Sequence, residues 1–333
     1  MARIRFNITI RYMKRCRNCI KCIGLLLAIA FNSPSVRAQA ILPESTSCPS
    51  VRPPVRPPVV ENKWLITFSS GYQQQNLHWS IAGNSNGQNP NVYSELKWRH
   101  VNGPSAIISV QWHAWKWLSV CADVSHTFIL SGKADDTDYQ GDNRTNRVYQ
   151  GKFDGDKGYL ASWSAGIGYR ILHARLFHLT PFIGYGINYQ SLFLVDHSGA
   201  FGKLNSNYST NWHGPLVKII TALQVSHTIV LTADLVYHQV SYSAKADWNL
   251  ISQFSHPVSF RQVADGYGLN ADAGLVFSLG QHITFSMGAG YTNWQTGKGT
   301  DRLYLVSGQT NATRLNEAVT DGFRCVAGIG IFL

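Results

Sequence analysis

The sequence predicts an all-β chain, a ten-stranded antiparallel transmembrane β-barrel, on three observations. Strand-like segments rich in Val, Ile, Thr and aromatic residues recur along residues 63–333. The connections between them alternate strictly between short and long, as tight turns on one side of a membrane and longer loops on the other require. Charged residues make up 14% of the chain and aromatic residues 12%, a ratio that favours a lipid-facing wall over a water-soluble surface.

The N-terminus comes first. Residues 1–21 hold seven basic side chains and no acid, followed by the apolar run Ile23-Gly24-Leu25-Leu26-Leu27-Ala28-Ile29-Ala30-Phe31 and then Ala38-Gln39-Ala40. A basic head, a short apolar middle and a small-x-small exit predict a signal peptide over residues 1–40, with Met13 an alternative start. The apolar run is too short to span a bilayer, which takes roughly 20 residues. The leader carries eight of the 29 basic residues and none of the 18 acids, so the net charge of +11 falls to 11 − 8 = +3 without it. The basic pI is therefore mostly a property of the leader, and nucleic acid is not an expected partner. Residues 41–62 contain Val51-Arg52-Pro53-Pro54-Val55-Arg56-Pro57-Pro58, a repeat that favours polyproline II and predicts a periplasmic spacer.

Ten strands are expected over 63–78, 93–112, 116–134, 156–172, 175–195, 207–223, 226–245, 264–279, 281–296 and 319–333. Short turns are expected at Ala114-Trp115, His173-Ala174, Ser226 and Gly280, and long polar loops at 79–92, 135–155, 196–206, 246–263 and 297–318. An even strand number places both ends of the barrel in the periplasm and five loops outside. Trp98, Trp112, Trp115, Trp117 and Tyr169 fall near strand ends, where aromatic girdles sit. Ala327-Gly328-Ile329-Gly330-Ile331-Phe332-Leu333 alternates small with large apolar residues, as a closing strand should, because an open edge in lipid leaves backbone groups unpaired.

Cys48, Cys121 and Cys325 lie outside the leader at unrelated spacings, and the 12 histidines form no metal-ligand spacing. No glycine-rich phosphate loop precedes a helix. The residues point to no metal and no cofactor.

Ser94-Glu95-Leu96-Lys97-Trp98, the stretch Lys116-Trp117-Leu118-Ser119-Val120 through Asp135-Asp136-Thr137-Asp138-Tyr139, Gly184-Tyr185 through Tyr189-Gln190, and Asn293-Trp294 through Thr300 occur in one order along the chain. Together they resemble the omptin family of outer-membrane proteases. The resemblance implies a site at the outer mouth in which two acids face an Asp–His pair that activates water for peptide cleavage. Asp136 and Asp138 match the first pair, and residues i and i+2 of a strand share a face. Asp247-Trp248-Asn249 matches the second, with Asn249 where the family carries its catalytic His. An amide cannot accept a proton at useful pH, so Asn249 could orient water without activating it. Lys245 and Trp79 stand where the family has acids that recognise basic side chains, and His256, seven residues beyond Asn249, could serve as a substitute base only through a rebuilt loop. The family's lipopolysaccharide contacts after strand five correspond to Ser191, Leu192 and Phe193, which cannot supply them.

The expectation is an integral, multi-pass barrel of a Gram-negative outer membrane, omptin-like but without peptidase activity. Its expected partners are outer-membrane lipid and a polypeptide or small-solute ligand at the mouth. It would act as a small-solute channel or a surface recognition protein; the alternative is an endopeptidase using Asp136, Asp138 and Asp247.

Overall fold

The computed structural model describes residues 64–333 except 116 and 175. The expected signal peptide, the Pro-rich segment and Cys48 lie outside the described residues. Ten staves form the wall. The first two are β1 (Trp64–Ile81) and β2 (Ser94–His113). The third is β3 (Leu118–Phe128) continued by β4 (Ser131–Gly141), and the fourth is β5 (Thr145–Asp154) continued by β6 (Gly158–Tyr169). After the short β7 (Leu172–His173) come β8 (Phe177–Val195), β9 (Asn205–Gln224), β10 (Ile229–Asp247) and β11 (Phe260–Ser278). The ninth stave is β12 (Ile283–Thr296) with β13 (Gly299–Tyr304), and the tenth is β14 (Thr310–Phe332). All neighbours pair antiparallel, and β1 pairs β14 from Leu65↔Phe332 to Ile81↔Leu315, so the sheet closes on itself. Closure removes the edge that lipid would leave unsatisfied.

Alternation along each stave separates lumen from exterior. The outward residues of β10 run Leu231, Ala233, Leu235 and Tyr237, then change to Gln239, Ser241, Ser243, Lys245 and Asp247. β1 changes in the same way, from Trp64, Ile66, Phe68 and Tyr72 to Gln74, Asn76 and His78. Stacked Trp64–Trp112 and Trp115–Trp117 pairs, with Tyr169 beside Trp117, mark the turn end of the band. Outward Tyr72, Phe128, Tyr159, Tyr237, Tyr267 and Tyr291 mark its other end. Eight residues separate Trp64 from Tyr72, or roughly 26 Å of strand. At a tilt near 40° that is about 20 Å of height, close to the apolar band of such barrels. Trp98 departs from the expected girdle: it faces the lumen and is 1% exposed. Leu235→Arg in mid-band should cost about 2–4 kcal/mol on unfolding from lipid bilayers, whereas Ser243→Arg, beyond the band, should cost little.

The staves continue past the band into water, and this corrects the expected loops. Most of 135–155 is the hairpin of β4 and β5 around the turn Asp142–Arg144, and 297–318 holds β13 and the start of β14. The outer connections are 82–93, 142–144, 196–204, 248–259 and 305–309. The outer face of these extensions meets water in place of lipid, so the apolar outward residues that mark a membrane strand disappear. Arg99–Asp135 at 2.8 Å and Lys97–Glu95 at 2.9 Å line their outer wall, a surface lipid would not tolerate. Where β5 passes into β6, Gly158 sits at φ +127, and a Cβ there would meet the Ser191 carbonyl oxygen at 1.9 Å. Only glycine fits that approach.

Candidate functional site: a cup above a sealed lumen

The lumen changes character with height. Within the apolar band it is polar: Lys218 Nζ lies 3.1 Å from Asp123 Oδ2 and 3.6 Å from Asp234 Oδ2, and Arg324 pairs Asp272 at 2.8 Å. These groups line a cavity of about 290 Å³. Above it every stave sends buried side chains into one aromatic and aliphatic cluster, including Leu77, Trp98, Leu192, Tyr208, Trp212, Tyr242, Trp294 and Leu315.

This layer is bonded across the barrel as well as along it. Trp98 of the second stave stacks on Tyr208 of the sixth, with centroids 5.3 Å apart. Gln190 Nε2 on the fifth stave donates to Thr320 Oγ1 on the tenth at 3.1 Å, and both residues are fully buried. In a ten-stave ring those two are diametrically opposed. Gln190 Oε1 also accepts from Thr210 Oγ1 at 2.8 Å and Trp212 Nε1 at 3.2 Å. Tyr208 Oη donates to Gln262 Oε1 at 2.6 Å, and Gln262 Nε2 donates to Asp301 Oδ1 at 3.1 Å. Paired buried amides and stacked rings make a fixed floor, since leaving any of these polar groups unpaired would cost about 1–3 kcal/mol.

Over that floor opens a cavity of about 1100 Å³. Trp79, Tyr149, Phe153, Trp248 and Phe260 give it apolar walls, and Asp136, Asp138 and Asp301 are its ionisable acids. The strand register explains the placement. Trp79 stands opposite Leu96, and Leu96 opposite Asp136, so the three form one inward row across neighbouring staves. Asp138 stands opposite Ser94 one inward step further out. Asp136 and Asp138 therefore share the lumen face, as their spacing predicts. Burial, reinforced by the neighbouring Asp138 charge, pushes the Asp136 carboxyl up to about 7. Burial also raises Asp138, against a hydrogen bond from Ser94, and lifts Asp301 to about 6 against bonds from Gln262 and Thr313. Asp136 Oδ1 is shut off from solvent with no hydrogen-bond partner, and so is Trp79 Nε1.

The second half of the expected site goes elsewhere. Asp247 stands opposite Asn207, whereas the adjacent Ala246 stands opposite fully buried Tyr208. Asp247 thus shares the outward parity of Lys245 and Ser243, and it is Trp248 that lines the cup. A strand has period two, so a match displaced by one residue transfers every side chain to the other face. Asn249 does not await a water. Its Oδ1 accepts from Asn205 N at 3.0 Å and Ser206 Oγ at 3.1 Å, and its Nδ2 donates to the Lys203 carbonyl at 2.9 Å, tying two outer loops together. His256 does meet Asp247, Nδ1 to Oδ1 at 2.6 Å. Neither residue lines the cup, and its lining includes no histidine. Sequence reasoning missed Asp301, Tyr149, Trp248 and Phe260. The inward parity of Asp301 becomes readable only once 299–304 is recognised as a strand.

Comparison with known proteins fits this architecture. A family model described as Pom, Protochlamydia outer membrane protein, matches residues 67–331, nearly the whole barrel. The chain belongs to this family. No curated protein matches the chain. Among solved structures, the outer membrane protease OmpT from Escherichia coli superposes with a TM-score of 0.66 at 11% identity, covering 82% of this chain and 98% of that one. OprG from Pseudomonas aeruginosa matches at 12% identity over 82% of this chain and 97% of its own, with a TM-score of 0.36. At such identity the OmpT likeness shows the ten-stranded fold alone. Family and fold together place the chain in a Gram-negative outer membrane, which its strands cross repeatedly.

Proposed function

We propose that this outer-membrane barrel works as a surface-exposed binding protein whose ligand enters the outer cup, and that it is a divergent omptin relative without peptidase activity. The observation that carries the reading is the floor. Trp98, Tyr208, Trp212 and Gln190 close the lumen beneath the cup, which favours capture over passage. Asp136 and Asp138 then serve as ligand-binding carboxylates. Water activation by the omptin route needs a base facing that pair, and neither His256 nor Asp247, which has the outward parity of β10, lines the cup.

The peptidase alternative is tested by incubating refolded protein with dibasic fluorogenic peptides, alongside an Asn249→His variant. No turnover is expected from either, because position 249 is directed at Lys203 and Asn205. Cleavage by the wild type that is lost on Asp136→Asn would overturn the reading. A second reading, small-solute permeation, draws support from the polar lower lumen around Lys218 and Arg324. It requires the Trp98–Tyr208 layer to part.

A further inference from the structure

Resting on the binding reading above, we propose that the cup takes a small amphipathic amine, its cationic head on Asp136 and Asp138 and its apolar body on the aromatic walls. Two features converge on this class. Among the described residues that line the cup, Asp136, Asp138 and Asp301 face no lysine, arginine or histidine. Buried carboxylates normally have a cationic or hydrogen-bonding partner. Asp301 has the side chains of Gln262 and Thr313, whereas Asp136 has only a backbone bond from Thr137 and its Oδ1 is unpaired. A protonated amine supplies the missing donors and charge together.

The second feature is the wall. Trp79, Trp248, Phe260 and Phe153 give the cavity a mainly apolar surface, which a strongly hydrated metal ion or a polyamine would not use but a ring or alkyl body would.

The sign of the pH dependence follows. The titratable groups that line the cup with Asp136 are Asp138 on its own stave, Tyr149 on the next, Tyr93 at the entry to the second stave and Asp301 across the cup. With Asp136 raised to about 7 by burial and Asp138, its carboxylate forms as pH rises through neutrality. An alkyl amine stays protonated to about pH 10. Amine binding should therefore strengthen from pH 5.5 to pH 8. A raised carboxyl also means that ionising Asp136 works against the fold at high pH, so Asp136→Asn should fold at least as well as the wild type at pH 8.

The test is calorimetric titration of the protein in lipid nanodiscs with tryptamine and with tryptophol, its neutral alcohol counterpart. At pH 8 tryptamine should bind about tenfold or more tighter than tryptophol, as expected for a charge-assisted bond. The gap should shrink at pH 5.5 and vanish in Asp136→Asn, while His256→Ala leaves it unchanged. Equal binding of the two compounds would overturn the amine assignment and leave the cup a binding site. Binding of neither would overturn both. A tryptamine preference that persists in Asp136→Asn would place the amine elsewhere and also overturn the proposal.

Discussion

Replacing Trp98 and Tyr208 together by alanine is expected to break the floor of the cup and turn a silent barrel into a conducting one. The two rings stack 5.3 Å apart across the lumen, and Tyr208 also anchors Gln262 and Tyr242 through its hydroxyl. Below them lies a polar cavity and above them the cup, so their loss would join the two cavities. Removing a buried aromatic side chain costs about 3–5 kcal/mol. Because the rings touch, the double substitution should cost less than the sum of the singles. Urea unfolding in bilayers reads the stability loss, and single-channel recording reads the opening. A double variant as stable and as silent as the wild type would show that these rings do not form the seal.

The second large effect is expected at Lys218. Its ammonium sits between Asp123 and Asp234 and is mostly shielded, with a side-chain exposure of 13%. Lys218→Met strands two carboxylates in the lumen. In a dry interior, breaking such a pair costs about 3–5 kcal/mol. The adjoining cavity of about 290 Å³ admits water, so a loss nearer 2–3 kcal/mol is expected. The triple variant Lys218→Met, Asp123→Asn, Asp234→Asn should recover most of it, since no uncompensated charge remains. Unfolding midpoints of the two variants in urea check this; equal destabilisation would show that packing of the Lys218 stem dominates.

The barrel could be read from the sequence where one face of a strand meets lipid and the other the lumen. There Leu231, Leu235 and Tyr237 recur at alternate positions of β10, and the short turns expected at 114–115, 226 and 280 lie between strands, whereas His173 ends β7 and only Ala174 of that expected turn lies outside a strand. Past the apolar band the signal fails, because water reaches the outer wall and a packed cluster fills the inner one. The β4–β5 hairpin therefore reads as loop. Trp98 looks like a girdle residue because an aromatic near a strand end carries no mark of which face it takes.

The site was half legible for the same reason. Asp136 and Asp138 hold their relation whatever the register, being two residues apart on one strand. Asp247 depends on the absolute face of β10, which is set by its pairing of Ala246 with Tyr208 and cannot be read from a local motif. Asp301 enters the cup through a strand that its polar sequence conceals, and His256 reaches Asp247 through the folded course of the loop 248–259.

A lumen sealed beneath a binding cup does not conduct. Single-channel recording of the refolded wild-type barrel in planar bilayers tests this most directly. A flat baseline at moderate voltage, with stepwise currents emerging only in the Trp98→Ala, Tyr208→Ala variant, is the result predicted. Regular conductance steps from the wild type, unchanged by that substitution, would contradict it.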